Sequence, residues 1–388
     1  MKIIQIFFLL LFLLFRVNGQ STSFKNISYG PDISQKFDYW QADALNSKPV
    51  VIYFHGGAFR SGDKELSERH EWVKNFFLSK QVSYISSNYR FSKTTRIDSI
   101  FQDAERLIQY LKHHQQELKI DTANIGVYGS SAGGCLAIWL AFNPKLGDRT
   151  LMDSLLHYNT HIKVVGHMTS PATLDLTQWY SITKSDSNWM DLYNFKDDYA
   201  LYKISNRSEY FSPEIIALRD FVDIPKYIDA HDSPTFYHNN NELDPTPPNG
   251  DIAHHGRHAV YLDSISNSRN HTHELNQDLN AEVVYQKMVD YFCQYIPCIT
   301  TKTINQKKEI LQLQINANIL SLKNVGSSLG SGTIQIINPV GTILYNEHFD
   351  PIPETVNIDI RNICKSGKEI YFITINSESI SLVKKFIY

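Results

Sequence analysis

The chain has 388 residues and a nearly balanced charge, with 37 basic and 40 acidic side chains and a formal net charge of -3. This length allows two or three folding units of about 150 residues each, and the charge lacks the basic excess typical of nucleic-acid-binding proteins. Hydrophobic residues make up 42% of the sequence and aromatic residues 12%, which indicates a folded protein and not a disordered or collagen-like one. We therefore expect a globular protein that does not bind nucleic acid.

The amino-terminal residues have the pattern of a secretory signal. A single charge, Lys2, precedes an almost entirely apolar stretch over residues 3–15, which is shorter than the roughly 20 residues that cross a bilayer. Small and polar residues follow as far as Gly19. We expect a signal peptide over residues 1–19 and a secreted or cell-surface protein, with a short retained membrane anchor as the alternative.

Residues 48–295 alternate short β-branched runs with longer helical patterns, which is typical of a parallel sheet with crossover helices. Apolar residues at helical spacing between Ile100 and Leu111 predict one such helix. The segment 172–230 interrupts the alternation and is long enough to form a cap over a site. We expect an α/β domain over residues 20–300 with this cap-like insertion. Its predicted strands cover residues 49–54, 82–88, 124–128, 162–167, 235–238 and 259–265.

The remaining residues have a different pattern. Residues 301–310 are polar and basic, and we expect them to be a linker. From residue 311 onward, apolar residues alternate with polar ones, which argues for antiparallel strands with one face in water. We expect a small β-sandwich over residues 311–388 that carries no cluster of nucleophiles, bases or ligands.

Four cysteines are too few for a disulfide scaffold, although export would place them where bridges form. Cys293 and Cys298 flank a tight Ile-Pro step, and we predict a local bridge between them; two buried thiols are the alternative. Cys135 and Cys364 lie in unrelated contexts and are expected to be packing residues.

One short motif carries most of the chemical information. Residues 129–134 read Gly-Ser-Ser-Ala-Gly-Gly and stand between a predicted strand and a predicted helix. In this context G-x-S-x-G forms a nucleophile elbow, a sharp turn that exposes the central hydroxyl above the sheet. A phosphate-binding loop is the alternative, but the Lys-Ser or Lys-Thr pair of such loops is missing. The motif predicts that Ser131 is a nucleophile.

A second glycine-rich segment supplies the expected oxyanion site. His55-Gly56-Gly57 directly follows the first buried strand. Attack on a carbonyl creates an oxyanion, and each fixed N–H donor aimed at it is worth on the order of 10² to 10³ in rate. We expect the N–H groups of Gly56, Gly57 and Ala132 to form this oxyanion hole. His55 is expected to brace the loop.

These motifs resemble those of the alpha/beta-hydrolase superfamily, in particular its His-Gly-Gly esterases of the hormone-sensitive-lipase-like, feruloyl-esterase-like and formamidase-like branches. The resemblance covers most of residues 45–145 and is weaker as far as residue 295. It implies an alpha/beta-hydrolase fold, a mostly parallel sheet with helices on both faces, and a Ser-His-Asp triad that needs no cofactor. The sequence departs from many relatives at Ser130, where an acidic residue is usual, and at Ala58, where some have a third glycine.

The resemblance also guides the choice of the acid, which in this fold follows the nucleophile and precedes the base. Relatives place it in a His-Gly-x-x-Asp-x-x-Val-Pro loop after a strand. Counting from His238 selects Glu242, whereas matching the Asp-x-x-x-Pro ending selects Asp244. We choose Asp244 because the residues after it match more positions, and Glu242 is the alternative.

The base is expected in the loop after the last strand of the domain, which we predict at residues 258–265. This loop contains His271 and His273. The residue before His271 is Asn270, which tolerates unusual backbone angles at a position where the family usually has glycine. We choose His271, with His273 in reserve.

A metal site is another interpretation of the histidines between residues 254 and 273. Zinc sites have fixed ligand spacings, and the His-His-x-x-His run at 254–258 matches no strong pattern and contains no glutamate. We therefore expect no bound metal.

Residues 311–388 resemble the C-terminal sorting domain of the type IX secretion system of some Gram-negative bacteria. The matching features are Asn338-Pro339 at the start of a strand, a glycine-containing turn before residues 370–372, and a Lys-Lys-aromatic ending at 384–386. The resemblance implies that the type IX machinery is a partner. An accessory carbohydrate-binding module is the alternative.

Together the motifs predict a secreted serine esterase in which His271 takes the proton of Ser131 and Asp244 steadies the imidazolium. Acylated polysaccharides and aryl esters are the expected substrates. The alternatives are an amidase or formamidase with the same triad, and a hydrolase fold retained only for binding.

Overall fold

The computed structural model describes residues 23–185, 196–241, 243, 251–278, 280–299, 311–316, 318–324, 330–338, 342–364, 370–377 and 381–387. Contacts divide the chain into two compact units, Met1–Thr301 and Lys302–Tyr388. The expected signal peptide and linker lie outside the described residues, as do the predicted acid Asp244 and its alternative Glu242.

The first unit is built on an eight-stranded, mostly parallel sheet with the spatial order β1-β2-β4-β3-β5-β6-β7-β8. Strands β1 (Ser23–Ser28) and β2 (Lys36–Trp40) form an antiparallel edge. The other six strands run parallel to one another. They are β3 (Lys48–Phe54), β4 (Ser83–Ser87), β5 (Ile120–Ser130), β6 (Val164–Met168), β7 (Thr235–His238) and β8 (His273–Asn276).

Helices cover both faces of this sheet. Val50 and Ile52 of β3 belong to one buried cluster, and Val51 and Tyr53 belong to another, because successive side chains of a strand point to opposite faces. The helices are α1 (Glu68–Ser79), α2 (Ile97–His113), α3 (Gln115–Leu118), α4 (Ala132–Phe142), α5 (Trp179–Thr183), α6 (Lys196–Tyr202), α7 (Pro213–Phe221), α8 (Arg257–Ser268) and α9 (Ala281–Phe292). The predicted α/β class is thereby confirmed, and the predicted crossover helix is α2.

One predicted element is wrong. Residues 259–265, expected to be a strand, belong to helix α8. Its buried residues Ala259, Leu262 and Ser266 recur at intervals of three and four, and His258 lies beside Ala259, which is the period of a helix and not of a strand. The last strand of the sheet is instead β8, which follows α8 in the chain.

The region expected to form a cap contains α5, α6 and α7. Trp179, the first residue of α5, is buried; its Nε1 donates to the carbonyl of Thr173 at 2.8 Å, and its ring packs on that of His258 at 5.4 Å. Trp179 therefore joins α5 to α8 as a packing residue.

The second unit contains two antiparallel sheets, with the orders β13-β10-β9 and β12-β11-β14-β15. Leu320 and Ile358 of the first sheet share a buried cluster with Ile334 and Ile373 of the second. The predicted β-sandwich is confirmed. Its strands are β9 (Leu311–Asn316), β10 (Ile319–Asn324), β11 (Gly332–Ile337), β12 (Ile343–Phe349), β13 (Thr355–Asp359), β14 (Ile370–Ser377) and β15 (Ser381–Ile387).

The predicted bridge between Cys293 and Cys298 is present, just after α9. Cys135 and Cys364 are buried, as expected of packing residues. Of the helices in the described part of the chain, none has the length and apolar character needed to span a membrane.

Candidate active site

Ser131 lies at the sharp turn between β5 and α4, where the elbow motif puts it. Its φ of 53° and ψ of −122° are unusual for a residue with a side chain, and such strained backbone is concentrated at functional sites. The N–H of Ser131 donates to the carbonyl of Met168 at 3.1 Å, and its own carbonyl accepts from the Ser170 hydroxyl at 2.6 Å and from the N–H of Gly134 at 2.9 Å. Bonds on both sides of the residue therefore hold the turn.

Gly133 lets the elbow approach the end of β3. A Cβ at this position would lie 2.0 Å from the carbonyl oxygen of Phe54 and 2.6 Å from that of His55, so no other residue fits without moving the backbone. This close approach brings Ser131 against the loop that begins at His55.

The predicted oxyanion donors lie in this same place. A Cβ built on Gly56 would be 3.3 Å from the Cβ of Ser131. Gly57 follows with a φ of +111°, a conformation that glycine adopts readily. Ala132 is the first residue of α4, and the first N–H groups of a helix have no partner within the helix. The structure thus brings Gly56 and Ala132 beside the nucleophile, with Gly57 next in the loop.

His55 contacts its own loop and not Ser131. Its Nδ1 donates to the carbonyl of Gly56 at 2.6 Å, and its ring stacks on Tyr89 at 4.5 Å. The Tyr89 hydroxyl donates to the His55 carbonyl at 2.7 Å. Burial lowers the pKa of His55, which favours the neutral ring. These contacts are those of a bracing residue.

The imidazole that lies against Ser131 is that of His254. The Ser131 Oγ and His254 Nε2 are 2.7 Å apart, and the His254 Nδ1 lies 2.5 Å from Oδ2 of Asp251. A carboxylate only accepts hydrogen bonds, so Nδ1 carries the proton and Nε2 accepts from the serine hydroxyl. Serine, imidazole and carboxylate follow one another as in a catalytic triad, and they keep the chain order Ser, Asp, His.

The acid–base pair lies partly in solvent. The His254 side chain is 31% exposed and that of Asp251 is 65% exposed. The hydrogen bond from His254 holds the pKa of the Asp251 carboxyl below its usual value, so this carboxyl is ionised near neutral pH. Because water screens exposed charges, the attraction between the two side chains cannot be the only support of this loop.

Two asparagines tie the loop to the end of β7. Asn239, which is fully buried, donates from Nδ2 to the carbonyls of His254 and His255, at 3.1 Å each. Asn241 donates to the carbonyl of His254 at 2.6 Å. A strand end is rigid, so these bonds fix the main chain of His254 relative to the sheet.

His258 supports the same loop from inside. Its Nε2 donates to the carbonyl of Ile252 at 3.0 Å, and its Nδ1 accepts from the N–H of Ala172 at 3.3 Å. Burial lowers the pKa of His258 to about 3, so the ring stays neutral and keeps one donor and one acceptor. The loop is therefore bonded both to the sheet and to helix α8.

His271, the predicted base, does not contact Ser131. Its Nε2 lies 3.0 Å from the Thr235 hydroxyl, and its Nδ1 donates to the carbonyl of Asp229 at 3.1 Å. His273, the reserve, bonds to Asp263 at 3.0 Å. The choice of His271 is thus corrected to His254.

Strand register explains the error. His273 at the start of β8 pairs with Thr235, and Asn276 at its end pairs with His238, which is level with Ser130 through β6. His271 therefore precedes the amino end of β8, whereas Ser131 follows the carboxyl end of β5. Six residue steps along the strand direction separate these levels, or about 20 Å. The mistake arose because α8 was taken for the last strand of the sheet. The loop between α8 and β8, which contains His271, was therefore taken for the loop that follows the last strand.

The sequence did contain a signal for the pair that the structure places beside Ser131. Asp251 and His254 are three residues apart, follow the nucleophile, and stand in the required order, but His254 was assigned to a possible metal cluster. Within the described ranges, no group of three or more His, Cys, Asp or Glu side chains could hold a metal ion.

A family model, BD-FAE, matches residues 39–239, just over half of the chain. The chain belongs to the BD-FAE family of alpha/beta-hydrolase esterases. The match includes the loop of Gly56 and the elbow of Ser131, and it ends at Asn239, before Asp251 and His254. The nucleophile and its oxyanion loop are thus in the part shared with this BD-FAE model.

Curated relatives match a shorter region. Esterase LipI of Mycobacterium tuberculosis is 29% identical over 127 residues, which are 31% of this chain and 38% of that protein. Carboxylesterase NlhH of the same organism is 27% identical over 123 residues, with the same coverage of 31% and 38%. The chain therefore spans somewhat under two-fifths of the length of these relatives.

Solved structures match a larger share of the chain than the family model does. A truncated carbohydrate esterase from gut microbiota superposes with a TM-score of 0.54 at 15% identity, covering 72% of this chain and 97% of that one. An acetyl ester-xyloside bifunctional hydrolase from Caldicellulosiruptor lactoaceticus gives a TM-score of 0.50 at 16% identity, covering 67% and 88%. At such identities the likeness establishes the fold.

Proposed function

We propose that this protein is a serine carboxylic-ester hydrolase with Ser131 as nucleophile, His254 as base and Asp251 as the acid that orients it. The observation that carries the proposal is the 2.7 Å contact between the Ser131 hydroxyl and a His254 ring whose other nitrogen is bonded to Asp251. Membership of the BD-FAE family supports the same class of reaction.

The first half-reaction forms an acyl-enzyme. The His254 Nε2 takes the proton of Ser131 as the hydroxyl oxygen attacks the ester carbonyl, and Asp251 stabilises the resulting imidazolium. The oxyanion accepts hydrogen bonds from the N–H groups of Gly56, Gly57 and Ala132. His254 then returns the proton to the leaving alcohol as the ester bond breaks.

The second half-reaction releases the acid. Water loses a proton to Nε2 of His254 and attacks the acyl group on Ser131, and the same N–H donors hold the second oxyanion. Collapse of this intermediate frees the carboxylic acid, and His254 returns the proton to the serine oxygen. No step requires a cofactor.

For the substrate, we propose acyl groups on polysaccharides, with aryl esters as model substrates. The support is the BD-FAE family match and the likeness to two solved structures, a carbohydrate esterase and an acetyl ester-xyloside bifunctional hydrolase. A panel of acetylated sugars, aryl esters and formyl amides tests this choice. A preference for formyl amides would indicate that the protein is an amidase.

The test of the esterase proposal is the variant Ser131→Ala. We expect turnover of p-nitrophenyl acetate to fall by about 10⁴-fold or more, as it does when the nucleophile of a triad is removed. A fluorophosphonate probe is expected to label the parent at Ser131 and not the variant. An unlabelled but folded parent would favour a binding protein, and an unchanged rate in the variant would refute the assignment of the nucleophile.

We also propose that the protein is exported and that its C-terminal β-sandwich is the address read by the type IX machinery. The support is the sequence resemblance of residues 311–388. In a host with this machinery, deletion of residues 302–388 is expected to leave the esterase inside the cell envelope, whereas the full chain reaches the surface or the medium. Equal export of both chains would contradict the proposal.

A further inference from the structure

A small groove lies between helices α5 and α8, close to the loop that carries His254. Its volume is about 290 Å³. Helix α8 contributes four residues spaced three or four apart, which is one face of a helix. The lining residues in the described part of the chain are Ser181, Ile182, Lys184, Arg257, Val260, Tyr261 and Ser264. They comprise two cations, three hydroxyl groups and two aliphatic side chains, and no carboxylate.

Arg257 is an unusual residue in this groove. Its Nε is buried and has no hydrogen-bond partner, and among the described residues no carboxylate pairs with its guanidinium or with the ammonium of Lys184. A buried donor without a partner costs about 1–3 kcal/mol, and native proteins keep few of them. An acceptor in the groove cannot reach this buried nitrogen, so a ligand would pair with the Nη groups of the guanidinium.

Arg106 is a useful comparison because it is an arginine whose charge is paired within the protein. Arg106 also has a buried Nε without a partner, but its Nη1 donates to Asp153 at 2.8 Å. The charge of Arg106 is thus neutralised within the protein. Within the residues that the structure describes, the charge of Arg257 has no such counterpart, so the groove at α5 and α8 is suited to an external anion.

The position of Arg257 connects the groove to the proposed catalytic site. It follows His254 by three residues, so their Cα atoms lie within about 11 Å of each other. The hydroxyl and aliphatic side chains beside it suit a sugar ring, which presents both polar edges and apolar faces. An arginine binds a carboxylate through two parallel N–H bonds, and the two Nη groups of Arg257 offer that fork.

We propose that this groove binds a carboxylate of the substrate, so that the enzyme deacylates polysaccharides that contain uronic acid. The proposal rests on the esterase function above and specifies its substrate class. Arg257 forms the bidentate contact, and the exposed Lys184 adds charge at the opening. Since these charges face solvent in part, salt is expected to weaken the contact.

The test compares two matched substrates, an acetylated oligogalacturonide and the same oligosaccharide after reduction of its carboxyl groups. The measured quantity is the ratio of kcat/KM for acetate release, acidic over neutral. We expect a ratio of about 10 or more in the parent, as for one charge-assisted contact of at least 1.4 kcal/mol. Arg257→Gln is expected to bring the ratio close to one, Lys184→Gln to lower it less, and 0.5 M NaCl to lower it in the parent.

The control is Arg106→Gln, which removes the arginine already paired with Asp153 and is expected to leave the ratio unchanged. A ratio near one in the active parent overturns the carboxylate subsite and leaves the esterase function standing. Equal preference for a sulfated, uronate-free acetylated oligosaccharide also overturns it, because the groove would then select charge and not a carboxylate. Failure of the parent to release acetate from either substrate, with p-nitrophenyl acetate also uncleaved, refutes the esterase function instead.

Discussion

The two halves of the candidate site are built differently. Ser131 stands between β5 and helix α4, all of whose residues are buried, and Gly133 fixes the elbow against β3 by direct backbone contact. Asp251 and His254 stand on a partly exposed loop. Hydrogen bonds to the end of β7 and to α8 hold this loop in place. Ser131 is thus positioned by local packing, whereas Asp251 and His254 are positioned by tertiary hydrogen bonds. The second half is therefore the one that single substitutions can disturb while the fold survives.

The largest effect in this second half is expected from Asp251→Asn. An amide in place of the carboxylate cannot stabilise the imidazolium or impose the Nδ1–H tautomer. The loss in kcat for p-nitrophenyl acetate is expected to be about 10²-fold, below the roughly 10⁴-fold of a buried triad acid, because Asp251 is 65% exposed. The matched control is Asp263→Asn, which removes the partner of His273 and should change kcat less than threefold. Equal losses in the two variants would contradict the assignment of Asp251.

A smaller effect is expected from Asn239→Ala. This change removes the donor to the carbonyls of His254 and His255 and should lower kcat about tenfold, or about 1.4 kcal/mol, with KM nearly constant. If the variant lost stability with an unchanged kcat, Asn239 would be a structural residue only.

The buried histidines of the first unit lead us to expect that its free energy of unfolding depends on pH. Burial lowers the pKa of His70 and His258 to about 3 and that of His167 and His271 to about 4, from 6.5. The unfolded chain binds these protons first, so stability is lost as the pH falls below about 6.5, by up to about 1.4 kcal/mol per pH unit for each histidine. Asp232, whose pKa burial raises to about 6, offsets part of this loss. The urea midpoint at pH 5 should therefore lie below that at pH 7, and an equal or higher midpoint would contradict the account.

The contrast between the two halves also explains what the sequence could predict. The elbow and the His55-Gly56-Gly57 loop are continuous motifs whose residues meet because β3 and β5 are neighbours. The strand pattern and the two motifs were therefore enough to predict that these residues lie together. Finding the pair Asp251 and His254 depends on which of two segments, 258–265 or 273–276, forms the last strand. Residues 258–265 carry buried side chains at helical spacing, and β8 has only four residues, too few for periodicity to identify it. One wrongly predicted element therefore placed the predicted base at the amino ends of the parallel strands, whereas Ser131 lies at their carboxyl ends.

The most direct test of the central claim compares His254→Gln with His271→Gln in p-nitrophenyl acetate hydrolysis. The 2.7 Å contact of His254 with Ser131 predicts that the first variant loses about 10⁴-fold or more in kcat. The bonds of His271 to Thr235 and Asp229 predict that the second variant loses about 1–3 kcal/mol of stability and less than threefold in kcat. Retained activity in His254→Gln together with an inactive, folded His271→Gln would contradict the proposed triad.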